Sequence, residues 1–539
     1  MSEKTKEKKK NKGNLYRSFI ELIAVGSITG IFAGAIVTVF NILVHEGEEI
    51  SRNFYAYVRA NPAFIPLLVL LLGIGAFTIG VLVNISSVIR GCGIPQAEGG
   101  SRGIIPFKWY RDLTAMFAAS LVSIFLGLSI GAEGPSVLIG ATAGDGVSSG
   151  LKRDAMIRKY QITGGACTGL AVASNAPLTG MAFAFEEAHK RFTPEVFICA
   201  FSSVIFGVLT RSMIYSILGM RVESAFHSYI FNEMPIRYYG FVILAGLVCG
   251  ALGVAFYKMC FFMRRTMRKI SFKDKRYNYG VRIAIAVFLG GAVSFVAAGV
   301  MGGGHELIES LGTLGGNIQP TTESAFGLSL TLTLLIILVL KFFITTVNVG
   351  SGIPCGIFIP IIAIGACIGG LLNGLWLKIT PEMSAYCDLM VMICMAAFFT
   401  TVVKAPITSI IMICEFTGSF APLLPVIIAV SLGYIIGEMS RTDGIYEELL
   451  EQYEHEEGIH ERAVREVFTL TVEPHSIADR REVRDVLWPA GARVKEIHRG
   501  EEFILPEGDT VLKSGDILTI VCKTDDAVRT REDLEHILG

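Results

Sequence analysis

The segment Gly131-Ala132-Glu133-Gly134-Pro135 places a carboxylate in a glycine- and proline-containing break between two strongly apolar runs. An ionisable side chain at membrane depth is costly, so it indicates a functional site. Two similar breaks occur: Gly91-Cys92-Gly93-Ile94-Pro95 follows the apolar run from Ile65 to Val83, and the segment from Gly352 to Pro360 follows the run from Leu330 to Val347. Each break predicts a helix that begins inside the bilayer.

Helix starts of this kind are suited to holding an anion. The first backbone N–H groups of a helix lack intrahelical partners and carry a positive partial charge. Several such ends that meet within the membrane form an anion site without a cationic side chain, as in transporters built from discontinuous helices. The three breaks therefore predict a buried anion site.

The composition excludes an ordinary soluble enzyme. The chain has 539 residues, of which 52% are hydrophobic, and its mean hydropathy is +0.55. Apolar stretches fill most of residues 17–440, but many are shorter or more glycine-broken than the roughly 20 residues that span a bilayer. Tilted and partial helices are therefore expected. His-Glu-x-x-His, phosphate-loop and Gly-x-Ser-x-Gly motifs are absent, so we predict no enzyme activity, no cofactor and no nucleic-acid partner.

The net charge of −1 conceals a division of the chain. From Arg441 onward there are 24 acidic and 13 basic residues, so we expect an acidic linker at 441–461 and a separate soluble domain at 462–539. Residues 1–16 form a basic tail before the apolar run from Phe19 to Val44, and residues 17–440 form the membrane domain. The positive-inside rule predicts a multi-pass protein of the inner or plasma membrane with cytoplasmic termini.

The eleven cysteines do not form a recognisable framework. Ten of them lie in the membrane region, and no Cys-x-x-Cys pair occurs. Free cysteine behaves as a small, buried apolar residue. We therefore predict neither disulfides nor a metal site.

An internal duplication links the two halves of the membrane region. Ala176-Pro177-Leu178-Thr179-Gly180 matches Ala405-Pro406-Ile407-Thr408-Ser409, and the same offset places Glu186 on Glu415. The segment from Gly131 to Gly144 also aligns without a gap with the segment from Gly356 to Gly369, which makes Glu133 and Phe358 equivalent. Two halves with corresponding broken helices predict a repeat transporter whose site lies between them.

The motifs together resemble the signature stretches of the CLC family of chloride channels and proton-coupled chloride transporters. The resemblance covers about residues 17–450 and rests on the order and spacing of four features: Gly91-Cys92-Gly93-Ile94-Pro95, Gly131-x-Glu133-Gly134-Pro135, Gly356-Ile357-Phe358-x-Pro360 and Tyr446. It implies an all-α polytopic membrane fold of two inverted repeats of tilted, broken helices. It also implies a homodimer embedded in lipid, in which each subunit has its own pathway for chloride or a similar monovalent anion.

The resemblance also assigns roles to individual residues. Glu133 is the gating carboxylate, which occupies the outer anion site when ionised and leaves it when protonated. The backbone N–H groups at Ile357 and Phe358 and the hydroxyl of Tyr446 bind the central anion. The full expected anion-binding set is Cys92, Gly93, Ile94, Gly134, Ile357, Phe358, Ile359 and Tyr446. Taken alone, Glu133 also fits a fixed helix-capping acid, and Tyr446 fits an interfacial tyrosine.

Two positions depart from the family pattern. Cys92 stands where chloride-selective relatives usually have serine, nitrate-preferring relatives proline and fluoride exporters another residue, so altered preference among chloride, bromide and nitrate stays open. A thiol is a weaker donor and is larger and softer than a hydroxyl. Ala132 replaces the arginine that commonly precedes the gating glutamate.

Glu187 is placed by the resemblance where proton-coupled members keep their internal proton-transfer glutamate. The sequence thus predicts a proton-coupled chloride exchanger with Glu133 as gate and Glu187 as proton acceptor. The alternatives are a passive voltage- or pH-gated chloride channel, or a sensor whose membrane part only carries the tail. For Glu186 we expect a solvated helix end paired with Lys190 and Arg191, and for Glu415 a buried structural hydrogen-bonding carboxylate near the dimer interface or a helix interface.

The acidic tail resembles the TrkA-C domain, which accompanies bacterial transporters as a cytoplasmic regulatory unit. The resemblance rests on the stretch from Ile497 to Val521. An unidentified small ligand and a purely dimerising or stabilising role are both open for this α+β domain. Patterning predicts a helix over 447–457 or a linker, strands at 467–472, 492–498, 502–505, 510–512 and 517–521, and helices at 480–487 and 526–538.

Overall fold

The computed structural model describes residues 3–153, 155–190, 192–220, 226, 229–272, 275–312, 329–420, 423–458, 464–500, 502–524 and 527–539. Most of them are helical, and eight helices in this part of the chain are long and apolar enough to cross a membrane. The predicted polytopic helical fold with a small sheet-containing domain is confirmed.

The membrane domain contains seventeen helices within the described residues. They are α1 Glu3–Ala60, α2 Ile65–Ile85, α3 Ile94–Arg102, α4 Trp109–Phe125, α5 Glu133–Gly150, α6 Ala155–Ser174, α7 Pro177–Phe183, α8 Pro194–Leu218, α9 Tyr239–Arg268, α10 Lys275–Val296, α11 His305–Gly312, α12 Leu330–Ser351, α13 Phe358–Ile379, α14 Cys387–Val403, α15 Pro406–Thr417, α16 Leu423–Met439 and α17 Ile445–Glu457. The expected helix starts at Ile94, Glu133 and Phe358 are all present. The expected basic tail at 1–16 falls within α1, among residues whose side chains lie outside the described set.

The helices form an inner and an outer layer. In the most apolar windows of α13 and of the segment that ends with α14, 83% and 94% of residues are buried. The corresponding share is 33% for α2 and α8, whose apolar side chains face outward, as lipid-facing helices do. The broken helices are therefore enclosed by protein.

Glycines let the inner helices approach closely. A Cβ atom added at Gly140 of α5 would lie 2.1 Å from the carbonyl oxygen of Gly165 in α6. One added at Gly169 of α6 would lie 2.1 Å from the carbonyl oxygen of Ser136 in α5. Small residues at such crossings are the usual means of packing membrane helices without a hydrophobic driving force.

The two repeats are related by a local two-fold axis. Gly131 N–H donates to the Gly356 carbonyl at 2.8 Å, and Gly356 N–H donates to the Gly131 carbonyl at 3.0 Å. Each glycine therefore pairs in antiparallel fashion with its own equivalent in the other repeat. This is the relation expected of inverted repeats, and it places the starts of α5 and α13 side by side.

The tail domain is a four-stranded antiparallel sheet with a closing helix. Its strands are β1 Val464–Thr471, β2 Ala492–Arg499, β3 Glu502–Ile504 and β4 Ile517–Thr524, in the spatial order β1-β4-β2-β3. Helix α18, Ala527–Leu538, follows. The predicted helix over 447–457 is part of α17, and the predicted closing helix is α18; its predicted first residue, Asp526, lies outside the described residues.

Two predictions for the tail are wrong. Residues 480–487 contain only a single 3₁₀ turn, Val483–Asp485, and residues 510–512 form an isolated bridge instead of a strand. The cause is pairing between these segments. Arg480 N–H donates to the Leu512 carbonyl and Val483 N–H donates to the Thr510 carbonyl, both at 2.9 Å, so these amides are not free for a helix.

The tail domain is anchored to the membrane domain by ion pairs. Lys159 Nζ of α6 lies 3.0 Å from Asp533 Oδ2 of α18, and both side chains are almost fully buried. Arg481 donates two hydrogen bonds to the carboxylate of Glu195 at the start of α8. Burial of a pair makes loss of one partner costly. The anchored end of the membrane domain is called the tail side below.

Candidate anion and proton pathway

The three predicted helix starts meet at one point. A Cβ atom added at Gly134, at the start of α5, would lie 2.2 Å from the carbonyl oxygen of Cys92. One added at Gly93, before α3, would lie 2.5 Å from the carbonyl oxygen of Gly134, and one at Gly356, before α13, would lie 2.4 Å from that of Gly131. Only glycine permits these approaches, so the breaks bring three helix N-termini together.

Backbone and side-chain hydrogen bonds fix the loop before α3. Gly91 N–H donates to the Gly352 carbonyl at 3.2 Å, and Cys355 N–H donates to the Gly91 carbonyl at 3.1 Å. Gln96 accepts from Gly93 N–H at 3.0 Å, and its amide nitrogen donates to the Arg90 carbonyl at 2.5 Å. These hydrogen bonds fix the backbone of the loop in which Cys92 lies.

Backbone donors converge on the side chain of Cys92. The N–H groups of Ile94 and Ile357, from two different breaks, both lie against its sulfur. Phe358 packs its ring on Phe399, with centroids 4.8 Å apart. Of the predicted anion-binding residues, the following six are brought together around the three helix starts and are buried: Cys92, Gly93, Ile94, Gly134, Ile357 and Phe358. The seventh, Ile359, is buried in the first turn of α13.

Tyr446 supplies a buried hydroxyl near this cluster. It lies in the first turn of α17, which packs on α3, and only 2% of the residue is exposed. Its hydroxyl has no hydrogen-bond partner within the described residues. A buried donor without a partner costs free energy unless a ligand or water accepts from it. The eighth predicted anion-binding residue is therefore a buried donor available to a ligand, unlike an interfacial tyrosine.

The side chain of Glu133 is buried, but it does not act as a helix cap. It is the first residue of α5, and 2% of its surface is exposed. Its Oε1 lies 3.4 Å from Nε2 of His305, and its Oε2 has no hydrogen-bond partner in the described part of the chain. A fixed capping acid accepts N–H bonds from the first turn of its helix. Glu133 is as deeply buried as such a capping acid, but it lacks these hydrogen bonds within the described residues.

Two titratable residues near the break before α5 were missed in the sequence. His305 begins α11 after Gly302-Gly303-Gly304, and this run is a fourth glycine break that the sequence displays. Lys341 is fully buried in α12, where Nζ donates to Ser129 Oγ at 3.3 Å and to the carbonyls of Val300 and Gly302 at 3.2 Å. The signal for Lys341 was a lysine within the apolar run from Leu330 to Val347.

Glu187 lies on the tail side in a π-helical turn, Ala184–Ala188, that continues α7. Such turns are often found at functional sites. Glu187 is buried, with 7% of its surface exposed. Arg102 at the end of α3 donates to the carbonyls of Glu187 at 3.1 Å and Ala188 at 3.0 Å and approaches Glu98 at 3.6 Å. The buried Glu187 is therefore tied through its backbone to the helix that begins at the Cys92 loop.

A cavity of about 420 Å³ opens beside this turn, between the membrane domain and the tail domain. Its polar lining includes Arg102, Lys159, His189 and Lys190, and Trp488 of the tail domain forms part of its apolar wall. His189 Nε2 lies 2.8 Å from Thr163 Oγ1. On the tail side, next to Glu187, the cavity provides polar space that water molecules can occupy.

Glu186 does not pair with Lys190 as expected. Its carboxylate accepts hydrogen bonds from Ile407 N–H at 2.9 Å and Thr408 N–H at 2.5 Å, at the start of α15 in the other repeat. Lys190 instead pairs with Glu447, and Arg191 lies outside the described residues. A helix start attracts an anionic acceptor more strongly than an exposed lysine does, because the ion pair is screened by water.

Glu415 mirrors this arrangement. It accepts from Leu178 N–H at 2.8 Å and from Thr179 N–H and Oγ1 at 2.7 Å, at the start of α7. The predicted hydrogen-bonding role of this carboxylate is confirmed, but the prediction that it is buried is wrong, because Glu415 is only partly buried. Glu186 and Glu415 therefore cap the equivalent helix of each other's repeat.

The cysteines are buried, as predicted. All eleven are buried and free of disulfides. Within the described residues there is no group of three or more His, Cys, Asp or Glu side chains that could hold a metal ion.

Comparison with known proteins agrees with this architecture. The family model for the voltage gated chloride channel matches residues 74–438, and the model for the TrkA-C domain matches residues 467–534. The H(+)/Cl(-) exchange transporter ClcA of Vibrio cholerae is 29% identical over 437 residues, which cover 78% of this chain and 87% of that protein. The protein of the same name from Vibrio vulnificus is 27% identical over 436 residues, covering 80% and 89%.

Solved structures share the fold. A slow cyanobacterial Cl−/H+ antiporter superposes with a TM-score of 0.70 at 21% identity, covering 81% of this chain and 99% of that one. A CLC-type fluoride/proton antiporter gives a TM-score of 0.60 at 20% identity, covering 79% and 97%. Because the channel family model matches well over half of the chain, this protein belongs to the CLC family of voltage gated chloride channels, with a TrkA-C domain at its C-terminal end.

Proposed function

We propose that this protein is a proton-coupled chloride exchanger, with Glu133 as its gate and Glu187 as its internal proton-transfer residue. The observation that carries the proposal is Glu133 itself, a buried carboxylate with an unpartnered oxygen at the meeting point of three helix starts. The curated relatives named above are H(+)/Cl(-) exchange transporters, which supports coupling over a passive pore.

The anion binds to peptide dipoles. The N–H groups of Ile94 and Ile357 and the hydroxyl of Tyr446 supply donors without a positive side chain, so the ion is held by oriented partial charges. Such a site compensates for lost hydration and still releases the ion, because no full countercharge holds it. Gly93, Gly134, Phe358 and Ile359 complete the proposed cradle through their backbone.

Glu133 competes with the anion for the outer end of this cradle. When ionised, its carboxylate occupies the place that an anion needs. When protonated, it loses its attraction for the helix N-termini and swings away, and an anion enters. Each anion passage is therefore linked to the charge of one carboxylate.

Glu187 supplies protons to Glu133 and thereby turns anion passage into the exchange of an anion for a proton. Protons reach the buried Glu187 from the tail-side cavity and pass inward to Glu133, while the anion leaves along the route that passes Tyr446. Because the two routes only partly overlap, anion and proton compete at Glu133 and are driven in opposite directions. The polar cavity beside Glu187 supports this placement.

The protein works in a cell membrane as a homodimer, with both termini in the cytoplasm. This part of the proposal rests on the family resemblance and on the charge pattern of the sequence. The TrkA-C domain then lies at the cytoplasmic mouth of the proton route.

Reconstitution into liposomes tests the proposed activity. A chloride gradient imposed at equal pH is expected to drive protons in the opposite direction and so to build up a pH gradient, with a dye reporting pH and an electrode reporting chloride. Rapid chloride flux without proton movement would establish the passive channel instead. If neither a halide nor nitrate is transported, the result would favour the alternative that the protein is a sensor.

Anion preference is tested at Cys92. We expect the wild-type protein to discriminate less between chloride and nitrate than Cys92→Ser, because the larger, softer thiol is a weak donor to a small anion. Uptake of chloride, bromide, nitrate and fluoride is compared for both proteins. Identical selectivity in the two would remove the thiol from the explanation.

A further inference from the structure

Glu133 is in contact with one titratable side chain, and that side chain reaches a cavity. His305 Nε2 lies 3.4 Å from Glu133 Oε1, and the side chain of His305 is 40% exposed, against 2% for Glu133. We propose that His305 is the outer proton relay of the gate: it takes a proton from the outer solution and delivers it to Glu133. This inference rests on the exchanger function proposed above.

The cavity that His305 lines lies away from the tail side. Glu21 of α1 pairs with Arg153, next to the helix whose Lys159 contacts the tail domain. Glu48 of α1 lines the cavity together with His305, and it lies about 40 Å further along the same helix. His305 thus connects the buried gate with the side opposite Glu187.

The transfer balances without any other reactant. A hydronium ion in the cavity protonates neutral imidazole, so that both ring nitrogens carry hydrogen. The Nε2–H bond then breaks as an O–H bond forms at Oε1 of Glu133, which turns imidazolium and carboxylate into neutral imidazole and neutral carboxylic acid. The first step changes the net charge of the pair from negative to zero, and the second step leaves it at zero. Proton transfer from His305 to Glu133 therefore creates no isolated charge in the buried site.

The surroundings of His305 favour its charged form. Glu133 from α5, Glu48 from α1 and Glu309 from its own helix all act on it as negative charges. Glu48 also approaches Gly303 N–H at 3.5 Å. A nearby carboxylate stabilises imidazolium, so the relay can hold a proton close to neutral pH.

Two cationic side chains lie near the His305 segment and act differently. Arg52 of α1 is paired with Glu306, so its charge is compensated. Lys341 of α12 lies behind Gly304, where a Cβ atom would come within 3.2 Å of its Nζ, and its hydrogen-bond partners are a hydroxyl and two carbonyls. Lys341 therefore opposes a second positive charge on His305, which favours release of the proton to Glu133.

A packing role is the alternative to be separated from a relay. The His305 ring lies 5.8 Å from the ring of Phe226, so part of its surface fills space between helices. If His305 only fills space between helices, its replacement should lower both stability and anion flux. A relay acts on proton movement alone and depends on the outer pH.

The experiment compares His305→Gln with wild type in liposomes, and the control is the double variant Arg52→Gln/Glu306→Gln, which removes both charges of the neighbouring ion pair and leaves the local net charge unchanged. Glutamine keeps a donor but does not titrate. We expect roughly 10- to 100-fold slower proton-coupled exchange at neutral outer pH. The deficit should shrink as the outer pH falls, because hydronium then protonates Glu133 directly. The control should keep the wild-type pH profile.

Two further measurements separate the explanations. In a Glu133→Gln background, which needs no proton, His305→Gln should leave anion flux unchanged; an equal loss there would indicate packing and overturn the relay. External imidazole should restore proton flux to His305→Ala, and failure to do so would also count against it. An unchanged pH profile in His305→Gln overturns the relay alone, whereas a wild-type protein that moves no protons overturns both this inference and the exchanger.

Discussion

Glutamates that both repeats share differ sharply from those that only one repeat has. Glu186 and Glu415 are equivalent, and each is bonded to two backbone N–H groups at the start of the other repeat's helix. Glu133 is equivalent to Phe358, and the offset that relates Glu186 to Glu415 places Phe416 opposite Glu187. The shared acids hold the repeats together, and the unshared acids are those to which we assign function.

Hydrogen bonding explains the difference. A carboxylate that accepts two N–H bonds at a helix start is stabilised where it is and has no reason to move. Glu133 Oε2 is buried without a partner, which is costly in a static structure and useful in one where the side chain must leave its place. The equivalent phenylalanines pack on other rings, Phe358 on Phe399 and Phe416 on Phe226.

The largest effect is expected at Glu133. The variant Glu133→Gln cannot ionise, so proton coupling should fall to background while chloride still passes, because the neutral amide does not compete for the anion site. Simultaneous chloride and proton recordings in liposomes measure both fluxes. Coupling that survives the change would move the gate to another residue and break the comparison.

The next effect is expected at Glu187. In Glu187→Gln the inner route loses its proton carrier, so proton movement should stop while chloride flux continues, and Glu133 should still respond to the outer pH. Glu186→Gln, one residue earlier in the chain, is the control and should remain coupled. A loss of coupling in Glu186→Gln equal to that in Glu187→Gln would show that position in this turn matters more than the shared or unshared character of the acid.

Lys341 extends the comparison from the acidic side chains to a cationic one. Its hydrogen-bond acceptors are a hydroxyl and two carbonyls, and the carboxylate that acts on it, Glu48, does so without a hydrogen bond within the described residues. Lys341→Met keeps the volume and removes the charge, and chloride turnover at low chloride should fall roughly threefold to tenfold because anions are no longer attracted to this end of the pathway. The chloride dependence of the rate measures this. Unchanged turnover would mark Lys341 as structural.

The smallest effect on transport is expected for the shared pair. Glu186→Gln and Glu415→Gln should each lower the free energy of unfolding by about 1 to 2 kcal/mol, since each loses a charge and one acceptor at a helix start. Denaturation in detergent measures this, and the ratio of chloride to protons should not change. The two losses should be similar because the contacts are symmetric; a large difference would argue against equivalent roles.

Local patterns revealed the helix starts and the repeat. Glycine and proline breaks next to apolar runs mark where helices begin. The matched segments make Gly131 and Gly356 equivalent positions of the two repeats. Contacts between distant segments could not be read in this way. Glu186 was expected to pair with its neighbour Lys190, although its partners are in the other repeat, and residues 480–487 were expected to be helical, although they pair with residues 508–512.

The gate was predictable and its neighbour was not. Glu133 stands out because a carboxylate interrupts an apolar region. His305 contacts Glu133, and Lys341 contacts Ser129 and the loop before His305, only because α11 and α12 fold back against the break before α5, which no local pattern records. The sequence contains a signal for each, a glycine run before His305 and a charge inside an apolar run for Lys341, but neither signal identifies the residue that it approaches.

The most direct test of the account is to locate bromide by anomalous diffraction in crystals of the wild-type protein and of Glu133→Gln at the same pH. The account predicts bromide beside the N–H groups of Ile94 and Ile357 and the Tyr446 hydroxyl in both crystals. A second ion should occupy the position of the Glu133 carboxylate only in the variant. The same bromide pattern in both crystals, or none near these helix starts, would contradict the claim that carboxylate and anion compete for one place.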